Sequence, residues 1–221
     1  MNCLAPQITT DSVPGDFGFR FQPIVKLADS AVAGYELLAG RERCPNNSPE
    51  QWRGWYDRIP FILEQHTPPG WNLIFVNIDG DQLEGDLSVL SALARARQIV
   101  EGLLVIECTE RGWLESSCTS IQALKTLGFR IAVDDVGEGE DGLGRVSALR
   151  PEFAKISHTL FHSLRNAGTQ TLSHLRQLLE QLGCVVILEG IETPEDRALA
   201  TAAGFKFGQG WLFPATSWPP R

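Results

Sequence analysis

The chain has 221 residues, 43% of them hydrophobic, and a formal net charge of −8. Such a chain can bury a substantial core, slightly short of the roughly 250 residues of a typical α/β barrel, and its acid excess argues against nonspecific binding to duplex nucleic acid, which needs Lys and Arg to neutralise phosphates. No apolar stretch approaches the ~20 residues of a membrane span, and the N-terminus lacks a basic region followed by an apolar one, so a cytoplasmic protein without membrane contact is expected.

Residues 1–16 read as an N-terminal extension beginning at a natural Met1, and 17–221 as one domain. The runs 18–27 and 31–38 flank a short Asp-Ser turn, which predicts an antiparallel hairpin, because a βαβ crossover needs a longer connection. Ser48 predicts an N-cap, with Pro49 in the first turn and Gln51 at capping-box spacing, for a helix to about His66. Strand 72–77, helix 86–100, strand 103–107 and a helix over 115–127 that stops at Gly128 come next. Strand 129–134 then leads through a glycine-rich loop to a short apolar helix over 143–149. Strand 153–156 precedes a long amphipathic helix within 160–182, ended by Gly183. Strand 184–188, a helix capped by Thr193 with Pro194 at its first position and Gly204 at its end, and strand 205–208 complete the pattern. Eight strands with intervening helices predict an α/β fold, a TIM-like (β/α)8 barrel variant with an antiparallel first strand. The five cysteines (Cys3, Cys44, Cys108, Cys118, Cys184) include no CxxC pair, which fits neither a zinc site nor a disulfide framework; Cys108 and Cys184 read as buried thiols in strand-like runs.

Apolar runs keep ending in residues able to hold a metal or activate water: LIFV at Asn77, LLVI at Glu107, RIAV at Asp134 and Asp135, FA at Lys155, VVIL at Glu189. In a parallel barrel reactive groups sit at the C-terminal mouths of the strands, so these side chains are expected to converge. Any one acid there is as well explained as a helix cap or a surface ion-pair partner. The set, with Glu36, describes a cation site, because crowded carboxylates repel unless a cation holds them. Oxygen-only ligation selects Mg²⁺ or Mn²⁺, and adjacent aspartates suit two ions about 3.5–4 Å apart that clamp a phosphoryl displacement. Lys155 could hold the nucleophilic water or offset transition-state charge; the plainer reading is a snorkelling surface lysine.

These residues carry a resemblance. FQPIVKLADSAVAGYELL, with Glu36-Leu37-Leu38 at the motif's place, resembles the opening of the EAL family of cyclic di-GMP phosphodiesterases. FVNID (75–79), IECTE (106–110), VDDVGEG (133–139), AKIS (154–157), LEGIET (188–193) and GQGWLF (208–213) are similar to the family's later segments, in order, over about residues 17–215. The resemblance implies hydrolysis of cyclic di-GMP to linear pGpG in bacterial second-messenger signalling. It implies that Glu36, Asn77, Glu107 and Asp134 hold one Mg²⁺ or Mn²⁺ and that Asp134, Asp135 and Glu189 serve a second. Lys155 would position the attacking water, Glu189 would be the general base, and Glu192 and Gln209 would complete the shell. Gln22, Leu38 and Pro214 match nucleotide-contacting positions, and Glu110 matches a glutamate that supports the loop after the paired aspartates.

Two departures stand out. The family's Arg four residues after its first Glu is Gly40 here, with Arg41 one step later. The paired-Asp loop, the family's dimer and metal-coupling element, reads Val136-Gly137-Glu138-Gly139-Glu140-Asp141-Gly142 in place of a Phe-Gly-Thr-Gly-aromatic-Ser-Ser pattern. Replacing 138–142 with Thr-Gly-Tyr-Ser-Ser, the family pattern, is expected to raise turnover or lower the metal requirement; an inactive protein that stays inactive after this graft and Gly40→Arg together would point to loss elsewhere and to binding alone. The alternative is a degenerate member that binds cyclic di-GMP or a protein partner without turnover; a homodimer is compatible with either.

Overall fold

The computed structural model describes residues 18–40, 49–68, 72–83, 87–109, 115–139 and 142–218. The predicted extension, Ser48, Arg41, Glu110, Glu140 and Asp141 lie outside the described residues. Strands β1 (Phe19–Lys26) and β2 (Val32–Ala39) pair antiparallel, Gln22 opposite Glu36, as the tight turn requires. Asp29 helps close that turn: its Oδ1 accepts from the Ala31 amide at 2.9 Å.

Helix α1 (Pro49–His66) leads to β3 (Ile74–Ile78), α2 (Leu87–Ile99), β4 (Leu104–Cys108), α3 (Glu115–Thr126) and β5 (Arg130–Val136). Then follow α4 (Gly142–Leu149), β6 (Phe153–Ile156), α5 (His158–Leu164), α6 (Thr169–Gln181), β7 (Val185–Leu188), α7 (Pro194–Ala202), β8 (Phe207–Gly208) and β9 (Thr216–Trp218). Strands β2 to β8 run parallel in sequence order, and β1 closes the circle by pairing antiparallel with both β2 and β8. The result is a closed eight-stranded TIM-like barrel, to which β9 adds a short antiparallel clip on β1.

Two differences from the sequence-based elements have local causes. The long helix expected within 160–182 is two helices, separated by a 3₁₀ turn at Arg165–Ala167 and by Gly168, whose φ of 87° and ψ of 170° no helix tolerates. Strand β9 carries only three residues just beyond Pro214, too few for a period to register. The α7 start is as predicted: Thr193 and Asp196 form a reciprocal capping box behind Pro194.

Apolar residues fill two separate layers. Between strands and helices lies the larger core, which includes Ile59, Leu93, Phe161 and the buried Cys108 and Cys184. Inside the barrel, Ile24, Phe75, Val105, Ala132, Phe153 and Ile187 form a plug, each from a different strand. The Phe75 and Phe153 rings meet edge to face at 5.2 Å. This plug fixes the floor on which the polar residues stand.

Candidate functional site

Successive side chains of a strand alternate faces, so the interior residue above each plug residue lies two positions on. From Phe75, Val105, Ala132, Phe153 and Ile187 that step gives Asn77, Glu107, Asp134, Lys155 and Glu189. The next layer of the barrel interior is therefore almost wholly ionisable. On the antiparallel β1 the direction reverses, and Ile24 is followed inward by Gln22.

Lys155 occupies the centre of this layer and is only 1% exposed, which removes the snorkelling reading. Its Nζ lies 3.1 Å from Glu36 Oε2, 3.1 Å from Glu107 Oε1, 3.0 Å from Asp134 Oδ1 and 2.9 Å from Glu189 Oε1. An ammonium has three N–H donors and one positive charge, so it neither satisfies nor neutralises four carboxylates. The consequences appear in the titration of each group. Burial drives Glu107 well above the ordinary carboxylate range, and the neighbouring Glu36 charge adds to this. Burial likewise raises Asp134 against the pull of Lys155, and raises Glu189 to about 8. For Glu36 burial is outweighed by Lys155 and by hydrogen bonds from Gln209, Lys155 and Asn77, so it stays below its usual value. The same carboxylates overcome desolvation and hold Lys155 well above an ordinary lysine.

Two amides complete the ring. Asn77 Nδ2 donates to Glu36 Oε1 at 2.6 Å and Gln209 Nε2 to Glu36 Oε2 at 2.6 Å. Their carbonyl oxygens, Asn77 Oδ1 and Gln209 Oε1, are buried without a hydrogen-bond partner, as is Glu107 Oε2. Single oxygens of Glu36, Glu107 and Asp134 lie within 4.8 Å of one another, and so do those of Asp134, Asp135 and Glu189. Orphaned buried oxygens and an excess of carboxylate are what a hard divalent cation relieves, so the donor set fits one.

Adjacent aspartates would normally face opposite sides of the sheet. Here the β5–β6 register shifts between Val133 and Val136, and Asp135 adopts a φ of 50°. This irregularity lets both carboxylates reach the mouth. It is a placement that strand alternation alone does not predict.

Above the layer opens a cavity of about 420 Å³ whose wall includes Gln22, Glu36, Leu38, Asp134, Lys155, Glu189, Glu192 and Gln209. Asn77, Glu107 and Asp135 are not part of that wall, although all three belong to the polar layer. Pro214 is exposed and is not on it. Sequence reasoning passed over three further features. Trp211, 72% exposed, borders the cavity. His158 also lines it, 3.5 Å from Glu192. Arg145, buried on α4, donates to the carbonyls of Cys108 at 3.1 Å, Thr109 at 2.8 Å and Asp134 at 3.1 Å, tying the ends of β4 and β5 together. A lone Arg in the apolar segment GLGRVSAL was the available signal.

Gly40 lies tightly against the backbone of Gly18. A Cβ there would lie 2.7 Å from the Gly18 carbonyl oxygen and 2.8 Å from its carbon, so a side chain enters only if the backbone at Gly18 shifts.

Comparison with known proteins places this geometry. The EAL domain model matches residues 61–215. An uncharacterized protein of Mycobacterium tuberculosis is 27% identical over 234 residues, covering 90% of this chain and 75% of that protein. The cyclic di-GMP phosphodiesterase TpdA of Vibrio parahaemolyticus is 30% identical over 117 residues, 51% of this chain but 20% of that protein. Klebsiella pneumoniae BlrP1, solved as a manganese/cy-diGMP complex, superposes with a TM-score of 0.77 at 21% identity, covering 93% of this chain and 59% of that one. The chain thus spans little more than half the length of that neighbour. Glu36 precedes the matched segment, yet the parallel pairing of β2 with β3 sets it in the same ring as the matched residues. With the model match extending over most of its length and the barrel common to both, the chain belongs to the EAL domain family.

Proposed function

We propose that this chain is a divalent-cation-dependent phosphodiesterase that hydrolyses cyclic di-GMP to linear pGpG in bacterial second-messenger signalling. The observation that carries the reading is the buried ring of carboxylates around Lys155 at the foot of a cavity of about 420 Å³, a size in the range of small-molecule sites. Oxygen donors alone favour Mg²⁺ or Mn²⁺. Glu36, Asn77, Glu107 and Asp134 would hold one ion, and Asp134, Asp135 and Glu189 a second. Two such ions supply Lewis-acid polarisation of the phosphoryl oxygens and offset the negative charge there.

The side chains do the rest. Glu189 accepts one proton of the attacking water as the water oxygen bonds to phosphorus, and the ribose 3′ oxygen departs with the bonding electrons and takes a proton from solvent. A carboxyl with a pKa of about 8 is mostly protonated at neutral pH, so Glu189 becomes a base only when added positive charge lowers that value. Lys155, 2.9 Å from Glu189, orients the water and balances charge on the phosphorane-like transition state. Gln22, Leu38, Glu192 and Gln209 hold the nucleotide against the cavity wall.

Incubating the purified protein with Mn²⁺ and cyclic di-GMP, with chromatographic detection of product, tests this. Linear pGpG should form only with the cation, and Glu189→Gln or Lys155→Ala should each lower turnover by about 10²-fold or more while nucleotide binding persists. Near wild-type turnover in either variant would refute its role. A second reading, a cyclic di-GMP receptor without turnover, is favoured by the closed Gly40 position and the acidic loop; binding without product under Mn²⁺ would select it.

A further inference from the structure

A second cluster of metal-ligating groups stands at the rim of the cavity, chemically unlike the oxygen ring. His158 and His162 are four apart on α5, which puts their rings on one face, with centroids 4.1 Å apart. Glu192, on the segment between β7 and α7, brings its Oε1 to 3.5 Å from His158 Nε2. One ligand atom from each of the three lies within 4.8 Å of the others. Gly190 shapes the site in two ways. Its carbonyl accepts from His162 Nε2 at 3.0 Å, which fixes that ring with its lone pair on Nδ1. Its missing side chain matters as well, since a Cβ would stand 2.6 Å from His158 Cδ2.

We propose that His158, His162 and Glu192 form a binding site for a borderline transition-metal ion, Zn²⁺ above all, separate from the oxygen ring. Two imidazoles and one carboxylate are a zinc donor set, with the fourth tetrahedral position left to water. Imidazole nitrogen discriminates against Mg²⁺, which prefers oxygen and keeps its waters. His158 and Glu192 are about half exposed, at 52% and 40%, so an ion reaches them from solvent without opening the barrel. Because Glu192 also lines the cavity, Zn²⁺ held there withdraws it from the nucleotide and suppresses hydrolysis. That consequence rests on the phosphodiesterase reading; the binding of the ion does not.

Metal-stripped protein is saturated with Mg²⁺, to fill the oxygen ring, and then titrated with Zn²⁺ by calorimetry, with Co²⁺ as a spectroscopic probe. One Zn²⁺ per chain should bind, Co²⁺ should show tetrahedral d–d absorption, and His158→Gln and His162→Gln should each weaken Zn²⁺ binding by roughly tenfold or more. Circular dichroism of both variants checks that the fold is kept. Zn²⁺ affinity unchanged in both variants, as thiol binding elsewhere would give, or no Zn²⁺ bound over Mg²⁺, overturns the site. The readout is the ion itself, so an inactive phosphodiesterase would leave this result standing.

Discussion

Lys155 and Glu189 carry the chemistry of the account, and their titration makes it measurable. The folded state holds a proton on Glu189 up to about pH 8, whereas the unfolded chain releases it near 4.5. The unfolded state therefore binds fewer protons across that window, and stability falls as pH rises through it. Glu107 and Asp134 shift in the same direction; Glu36 opposes them. The melting temperature of the metal-free protein should accordingly drop between about pH 5 and pH 8, and Mn²⁺ should restore it. Calorimetry in buffers of different ionisation enthalpy should show protons released as Mn²⁺ binds at pH 7. A flat stability profile with no proton release would mean that the ring is not charged as described. At Gly40 the prediction is negative: Gly40→Arg should lower the melting temperature and leave turnover no higher, because the Gly18 backbone occupies the space.

At the scale of elements, the site is one layer of the barrel interior standing on another. Phe153→Ala, which empties the plug beneath Lys155, should cost about 3–5 kcal/mol in denaturant unfolding. An effect under 1 kcal/mol would show that the plug does not support the ring. This layering also explains what the sequence made legible. A strand buried on both faces reads as an unbroken apolar run, and it turns polar where the interior stops being plug, so Asn77, Glu107, Asp134, Lys155 and Glu189 stood out at the run ends. Conformation and distant contact were harder to read. The left-handed Asp135 that redirects the paired acids, the break at Gly168 and the three-residue β9 leave no periodic trace. Lys155 as the shared centre of four carboxylates, and Arg145 as the tie between β4 and β5, depend on residues far apart in the chain.

Over the whole molecule, closure is what turns strand ends into a site. β1 pairs antiparallel with β2 and β8, so Gln22 and Glu36 face Gln209 and Lys155 across a mouth that an open sheet would spread apart. Among the described residues no helix is long and apolar enough to cross a membrane. Anomalous diffraction from crystals grown with Mn²⁺ and cyclic di-GMP decides whether this mouth gathers its carboxylates for divalent cations. Mn²⁺ is expected about 2.1 Å from oxygens of Glu36, Asn77, Glu107 and Asp134, with a second ion at Asp134, Asp135 and Glu189. Cyclic di-GMP in the cavity with no anomalous density at the ring, and Lys155 still the sole cation among its four carboxylates, would contradict it.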